Sequence, residues 1–238
     1  MAELAPHIPT ETYVGLLGRT VEVHWNYHAI LMVFIWAGLV PLCIFIMRFH
    51  KPPPSEKGIQ KDVRLMNREW WFFSVHKYGL IFAMSLAIAG AAVAMIVSGG
   101  ISGSVHAYFG AMTVVMGIGQ LISSQFRGTR GGKYREGSDP DDPATWRGDQ
   151  YDHTPKRRRF EAYHKTCGYF TIFCAFGAIG SGLMQYNMPV LFAVFILCIL
   201  AIAAAWIVYE FQERSYDGYR VAHGYGLEHP YNAQRKNL

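Results

Sequence analysis

Four histidines carry the chemistry legible in this chain: His28, His76, His106 and His164. Each stands near one end of a separate long apolar run. An imidazole binds a metal through one ring nitrogen and fixes its own orientation through the other. Inside a stretch apolar enough to enter lipid, such a group is costly and marks a functional site. His24 lies one turn before His28 on the same helix face, and either supports that site or sits at the membrane interface beside Trp25. His7, His50, His153, His223 and His229 fall in connections and tails, where they are expected to be solvated.

The elements that must position the four are membrane helices. About 20 apolar residues cross the hydrocarbon core. Five runs reach that length: Tyr27–Met47, Trp71–Ser98, Val105–Ser124, Tyr163–Gln185 and Pro189–Tyr209. The expected fold class is an all-α membrane protein of five transmembrane helices, the first four forming a bundle. Its parts are an N-terminal segment (1–25), a transmembrane domain (26–210) with a long polar loop (126–159), and a tail (211–238). The first 25 residues show neither a basic n-region nor a continuous apolar h-region, so a cleavable signal peptide is not expected there. Pro41 inside the first run is tolerable in a membrane helix, and Lys51-Pro52-Pro53-Pro54 ends that helix. Cys43, Cys167, Cys174 and Cys198 form no CxxC or CxxCH pattern and are expected to be small apolar core residues.

The net charge of +5 is not a nucleic-acid signal, because its distribution follows topology. Arg48, Lys51, Lys57, Lys61, Arg64 and Arg68 surround the first connection, and nine Lys/Arg lie between Arg127 and Arg159. Arg214, Arg220, Arg235 and Lys236 lie in the tail. The connections Ser98–Ser104 and Tyr186–Pro189 carry no charge. The positive-inside rule then sets the N-terminus outside and both basic loops and the tail in the cytoplasm.

With that orientation, His28 and His106 fall at the outer level, and His76 and His164 at the inner level. Odd-numbered helices supply one pair and even-numbered helices the other, so each pair faces across a diagonal of the bundle. Two imidazoles on opposite faces of one iron suit haem. Gly110 and Gly168, four residues after His106 and His164, and Gly79, three after His76, would leave room beside a flat macrocycle. Zinc or di-iron sites would want carboxylates or cysteines converging at one depth, and the spans carry Asp or Glu only at their ends. A cytochrome b of the bc type would need two ligands far apart on one helix, whereas His24 and His28 are one turn apart.

At these residues the chain resembles the cytochrome b561 family, in the form of its bacterial members and of the membrane half of DOMON-linked proteins. The likeness covers about 27–209. It rests on HAILMVFIWAGLVPLCIFIMRF, WWFFSVHKYGL, HAYFGAMTVVMGIGQLISSQFR and RRRFEAYHKTCGY. The resemblance implies two haems b, with His28 and His106 on the outer iron and His76 and His164 on the inner. Arg48, Gln120 and Arg127 match further family positions, and Lys77 joins them as a candidate cofactor-binding residue. The implied function is electron transfer across a membrane, from a quinol or ascorbate-like donor at the cytoplasmic side or in the bilayer to an acceptor outside. As an enzyme it would be a reductase of ferric iron or an organic radical. The implied setting is a bacterial inner membrane, with the mitochondrial inner membrane as the other. A homodimer, a partner redox protein, and a role as haem-bearing anchor or accessory subunit of a larger respiratory complex stay open. So does a haem-free protein whose histidines handle protons or metal.

Overall fold

The computed structural model describes residues 10–15, 17–54, 70–128, 137, 139, 142–145 and 154–223. His7, Lys57, Lys61, Arg64, Arg68, His153, His229, Arg235 and Lys236 lie outside the described residues, as does most of the loop 126–159. The described chain is mostly helical, and five helices are long and apolar enough to cross a membrane.

The first span is one rod in three pieces: α1 (Trp25–Phe34), a π turn (Ile35–Leu39) and α2 (Val40–Phe49). The cause is Pro41, which has no N–H to donate and whose ring would press on the carbonyl four residues back. The chain widens one turn earlier, and the Val40 N–H reaches the Ile35 carbonyl. Then follow α3 (Trp71–Ser98), α4 (Val105–Gln125), α5 (Pro155–Gln185), α6 (Pro189–Phe211) and a short α7 (Gly218–His223). Gly99 ends α3 in the left-handed conformation (φ 68°), which lets the Gly100 N–H return to the Met95 carbonyl at 2.9 Å.

Two features depart from the expected pattern. The segment before the first span is not wholly irregular: β1 (Glu11–Val14) and β2 (Arg19–Glu22) form an antiparallel hairpin, so the fold is not purely helical. And α5 begins eight residues before the expected Tyr163, so Lys156-Arg157-Arg158-Arg159 is helix and not loop. Thr154 caps it, its hydroxyl accepting from the Arg157 N–H at 3.2 Å, and Pro155 fills the first turn.

The first rod and α4 each pack against both α3 and α5, which closes a ring of four with the rod opposite α4. The α6 helix lies outside that ring, against α5 and α2. Lipid gives no hydrophobic drive for helices to associate, so close packing and polar contacts must hold them. The packed middle layer is built from Val33, Trp36, Ala83, Met84, Ala175 and Ile179, all buried. At the end of the rod, Arg48 pairs with Glu210 of α6, its Nε donating to Oε1 at 2.7 Å. Its guanidinium also stands 5.1 Å over the Trp206 ring. His50, expected to be solvated, is instead half-buried and stacked on Tyr209 with ring centroids 5.8 Å apart.

Both members of the Arg48–Glu210 pair keep about a third of their side-chain surface exposed. Its loss should therefore cost an amount between a surface and a buried ion pair, about 1–2 kcal/mol. Unfolding of Arg48→Ala, Glu210→Ala and the double variant in detergent is expected to show that loss in each single variant and less than their sum in the double.

Candidate functional site

The structure brings the four histidines together in twos. His28 on α1 and His106 on α4 stand with ring centroids 6.2 Å apart and planes at 86°. His76 on α3 and His164 on α5 stand at 6.2 Å and 80°. Two imidazoles bound axially to one metal, each at about 2 Å, have centroids about 6 Å apart, so each pair stands at the separation a shared metal requires. Among the described residues no group of three or more His, Cys, Asp or Glu side chains converges.

The separation of the two levels follows from counting along the helices. His28 lies beside the backbone of Gly90, fourteen residues after His76 on α3. His106 donates from Nδ1 to the Ala178 carbonyl at 2.8 Å, and Ala178 is fourteen residues after His164 on α5. At 1.5 Å per residue both intervals place the levels about 21 Å apart. The bond to Ala178 also fixes the tautomer of His106, leaving Nε2 as the unprotonated nitrogen able to ligate.

The inner level has looser support. His76 Nδ1 is 3.4 Å from the Cys43 carbonyl, beyond ordinary hydrogen-bond length. His164 Nδ1 is buried with no hydrogen-bond partner. Gln120 stands fourteen residues after His106, at the same level, and both its amide atoms are buried without partners. Such orphaned groups are expensive unless something polar completes them. Gly110 and Gly168 look into open space, as room for a flat group requires. Gly79 does not: a Cβ there would collide with Cys43 Sγ, so this glycine serves the contact of α3 with α2 and makes no room for a macrocycle.

Each pair is closed on its far side by aromatic rings. At the outer level Trp25 is 6.1 Å from His28 and 6.0 Å from Tyr186, which is 6.3 Å from His106. Burial pushes the Tyr186 phenol above its usual pKa, so it remains protonated. At the inner level Phe160 stacks on His164 at 5.2 Å and 20°. Arg157 stands over Phe160 at 5.2 Å, is only 6% exposed, and donates from Nε to Glu161 at 2.8 Å.

The other sequence candidates are more scattered. Arg48 is engaged with Glu210. Lys77 is exposed, its Nζ 5.1 Å from the Tyr78 ring. Arg127 reaches over Phe73, three residues before His76, at 5.6 Å. His24 faces Glu22 at 3.8 Å, both side chains more than half exposed. Sequence reasoning missed Trp25, Tyr186, Phe160 and the burial of Arg157. The signal for the last two was the Thr154-Pro155 helix start, which puts Arg157 and Phe160 on the helix that carries His164.

Gly182 lets α5 approach the outer pair, since a Cβ there would lie 2.6 Å from His106 Nδ1. Gly182→Val is expected to displace that ring, break its bond to Ala178 and cost about 1–3 kcal/mol of overpacking, read as a lower unfolding temperature in detergent. Comparison of the chain with family models, with curated proteins and with solved structures gave no match in any of the three.

Proposed function

We propose that this chain is a transmembrane electron-transfer protein of the cytochrome b561 kind, holding two haems b between its first four spans. The observation that carries the reading is the pair of matched histidine couples, each with ring centroids 6.2 Å apart, on two levels about 21 Å apart. Bound haem would supply the one-electron couple. The chain's own residues do the rest. His28 and His106 ligate at one level, His76 and His164 at the other. The Ala178 carbonyl holds the His106 imidazole. Gln120 offers a donor and an acceptor at the inner level, and the Trp36–Met84 layer keeps water from the path between levels. Lys77, Arg127 and Arg157 supply the positive charge that an anionic haem edge or an anionic donor needs near the inner couple. The donor is a quinol or an ascorbate-like reductant on the cytoplasmic side or in the bilayer. The acceptor lies outside. Lys/Arg at the two basic connections support a cytoplasmic placement for both.

Pyridine-haemochrome analysis of the purified chain is expected to give two haems b per protein. His76→Ala and His28→Ala are each expected to retain one. Full haem content in either variant would remove the ligand assignment, and a colourless wild-type preparation would remove the function.

Orientation is tested separately. A cysteine placed as Ser138→Cys in the second basic loop, with Cys43, Cys167, Cys174 and Cys198 replaced by Ala, is expected to resist an impermeant maleimide in intact cells and to react after lysis. Labelling in intact cells would reverse the topology.

A further inference from the structure

The two histidine couples differ in how the protein treats their imidazoles and in the charge around them. Resting on the haem reading above, we infer that the inner couple, His76 and His164, holds the higher-potential centre, and that Arg157 is a positioning residue that helps set it there.

The first difference is in hydrogen bonding. An imidazole whose Nδ1–H is well bonded is a more basic ligand and favours oxidised iron. The outer couple has that support at His106, which donates to Ala178 at 2.8 Å. At the inner couple the His76–Cys43 approach is 3.4 Å, and His164 Nδ1 has no partner among the described residues. His164 is therefore a weaker ligand than His106, and that difference favours reduced iron at the inner couple.

The second difference is in charge. Arg157 is nearly buried, and its guanidinium lies on the face of Phe160, whose other neighbour is His164 itself. In a low-dielectric site a cation at that range favours the reduced, less positive centre. Glu161 offsets part of this through its bond to Arg157, while Lys165 and Lys77, which directly follow the two ligands, and Arg127 over Phe73 add to it. Near the outer couple the described charged groups are those of the exposed hairpin, Glu11, Arg19 and Glu22, with Glu11 paired across from Glu22. Hydrogen bonding and charge thus act in the same direction.

The functional consequence concerns the acceptor. Passage from the inner to the outer level is uphill, so electrons rest on the inner side until an acceptor outside draws them off. An outward flow then needs an acceptor more oxidising than the inner centre.

The test is redox poising of the purified full chain, followed by absorbance. Wild type is expected to show two midpoint potentials. His106→Ala, keeping the inner couple, should retain the higher one, and His76→Ala the lower. Arg157→Gln, with two haems still bound, should lower the higher midpoint and leave the other in place, and Arg157→Lys should restore it. The reverse order of the surviving midpoints, or an Arg157→Gln effect that is absent or falls on the lower midpoint, overturns the inference. Those outcomes leave two bound haems and so differ from failure of the haem reading, in which wild type carries none. If a ligand variant fails to fold, the Arg157 pair decides alone.

Discussion

Everything in this structure depends on one constraint: a polar group placed in lipid must find its partner inside the protein. The four histidines are where that constraint bites hardest. His106 meets it with a backbone carbonyl, and the bond is available only because Gly182, one turn further along α5, lets the ring come close. The backbone of α5 thus orients the His106 ring as well as forming a long apolar helix. His164 and Gln120 leave the same obligation open at the other level, their buried polar atoms having no hydrogen-bond partner among the described residues.

The same constraint explains how the fifth span is held. The α6 helix has no place in the ring of four and presents mostly apolar surface outward, with Val190 and Phe211 among its most exposed residues. Apolar surface alone gives it no reason to prefer the bundle over the bilayer. A carboxylate near its end does, because Glu210 finds its counter-ion in Arg48. The aromatic faces of Phe45 and Phe49 meet Tyr209 and Trp206 beside that ion pair. A basic residue that would otherwise only mark topology is therefore also a clamp.

The spans were legible because length and apolarity suffice to find them, and Trp71–Ser98 was placed to the residue. The histidine couples were legible because depth follows from counting along alternating helices. What was not legible depends on contacts between distant residues or on signals that apolarity hides. Arg48 and Glu210 are 162 positions apart, and nothing local joins them. The start of α5 was obscured by its own charges, since Lys156 to Arg159 read as loop to any test of apolar runs. The alternation in Glu11–Val14 and Arg19–Glu22 was too short and too polar to register beside spans of twenty residues. Gly79 shows the opposite failure: its spacing from His76 fits a cofactor face, but the neighbouring Cys43 fills the space.

The π turn in the first span can be read in the same terms. On α3 and α5 the two levels are fourteen residues apart, close to four turns of 3.6, so one face of each helix serves both levels. On the first rod the corresponding interval, His28 to Cys43, is fifteen residues. In an unbroken α-helix fifteen residues overshoot four full turns, and Cys43 would sit about 60° round the axis from His28. The turn at Ile35–Leu39 takes up roughly one residue more than an α turn, and it lies between the two positions. The Cys43 carbonyl thereby returns toward His76, and the buried Trp36 within the same turn enters the middle layer. Pro41 is the local reason the helix widens there. The register it restores links His28 at one level to the neighbour of His76 at the other.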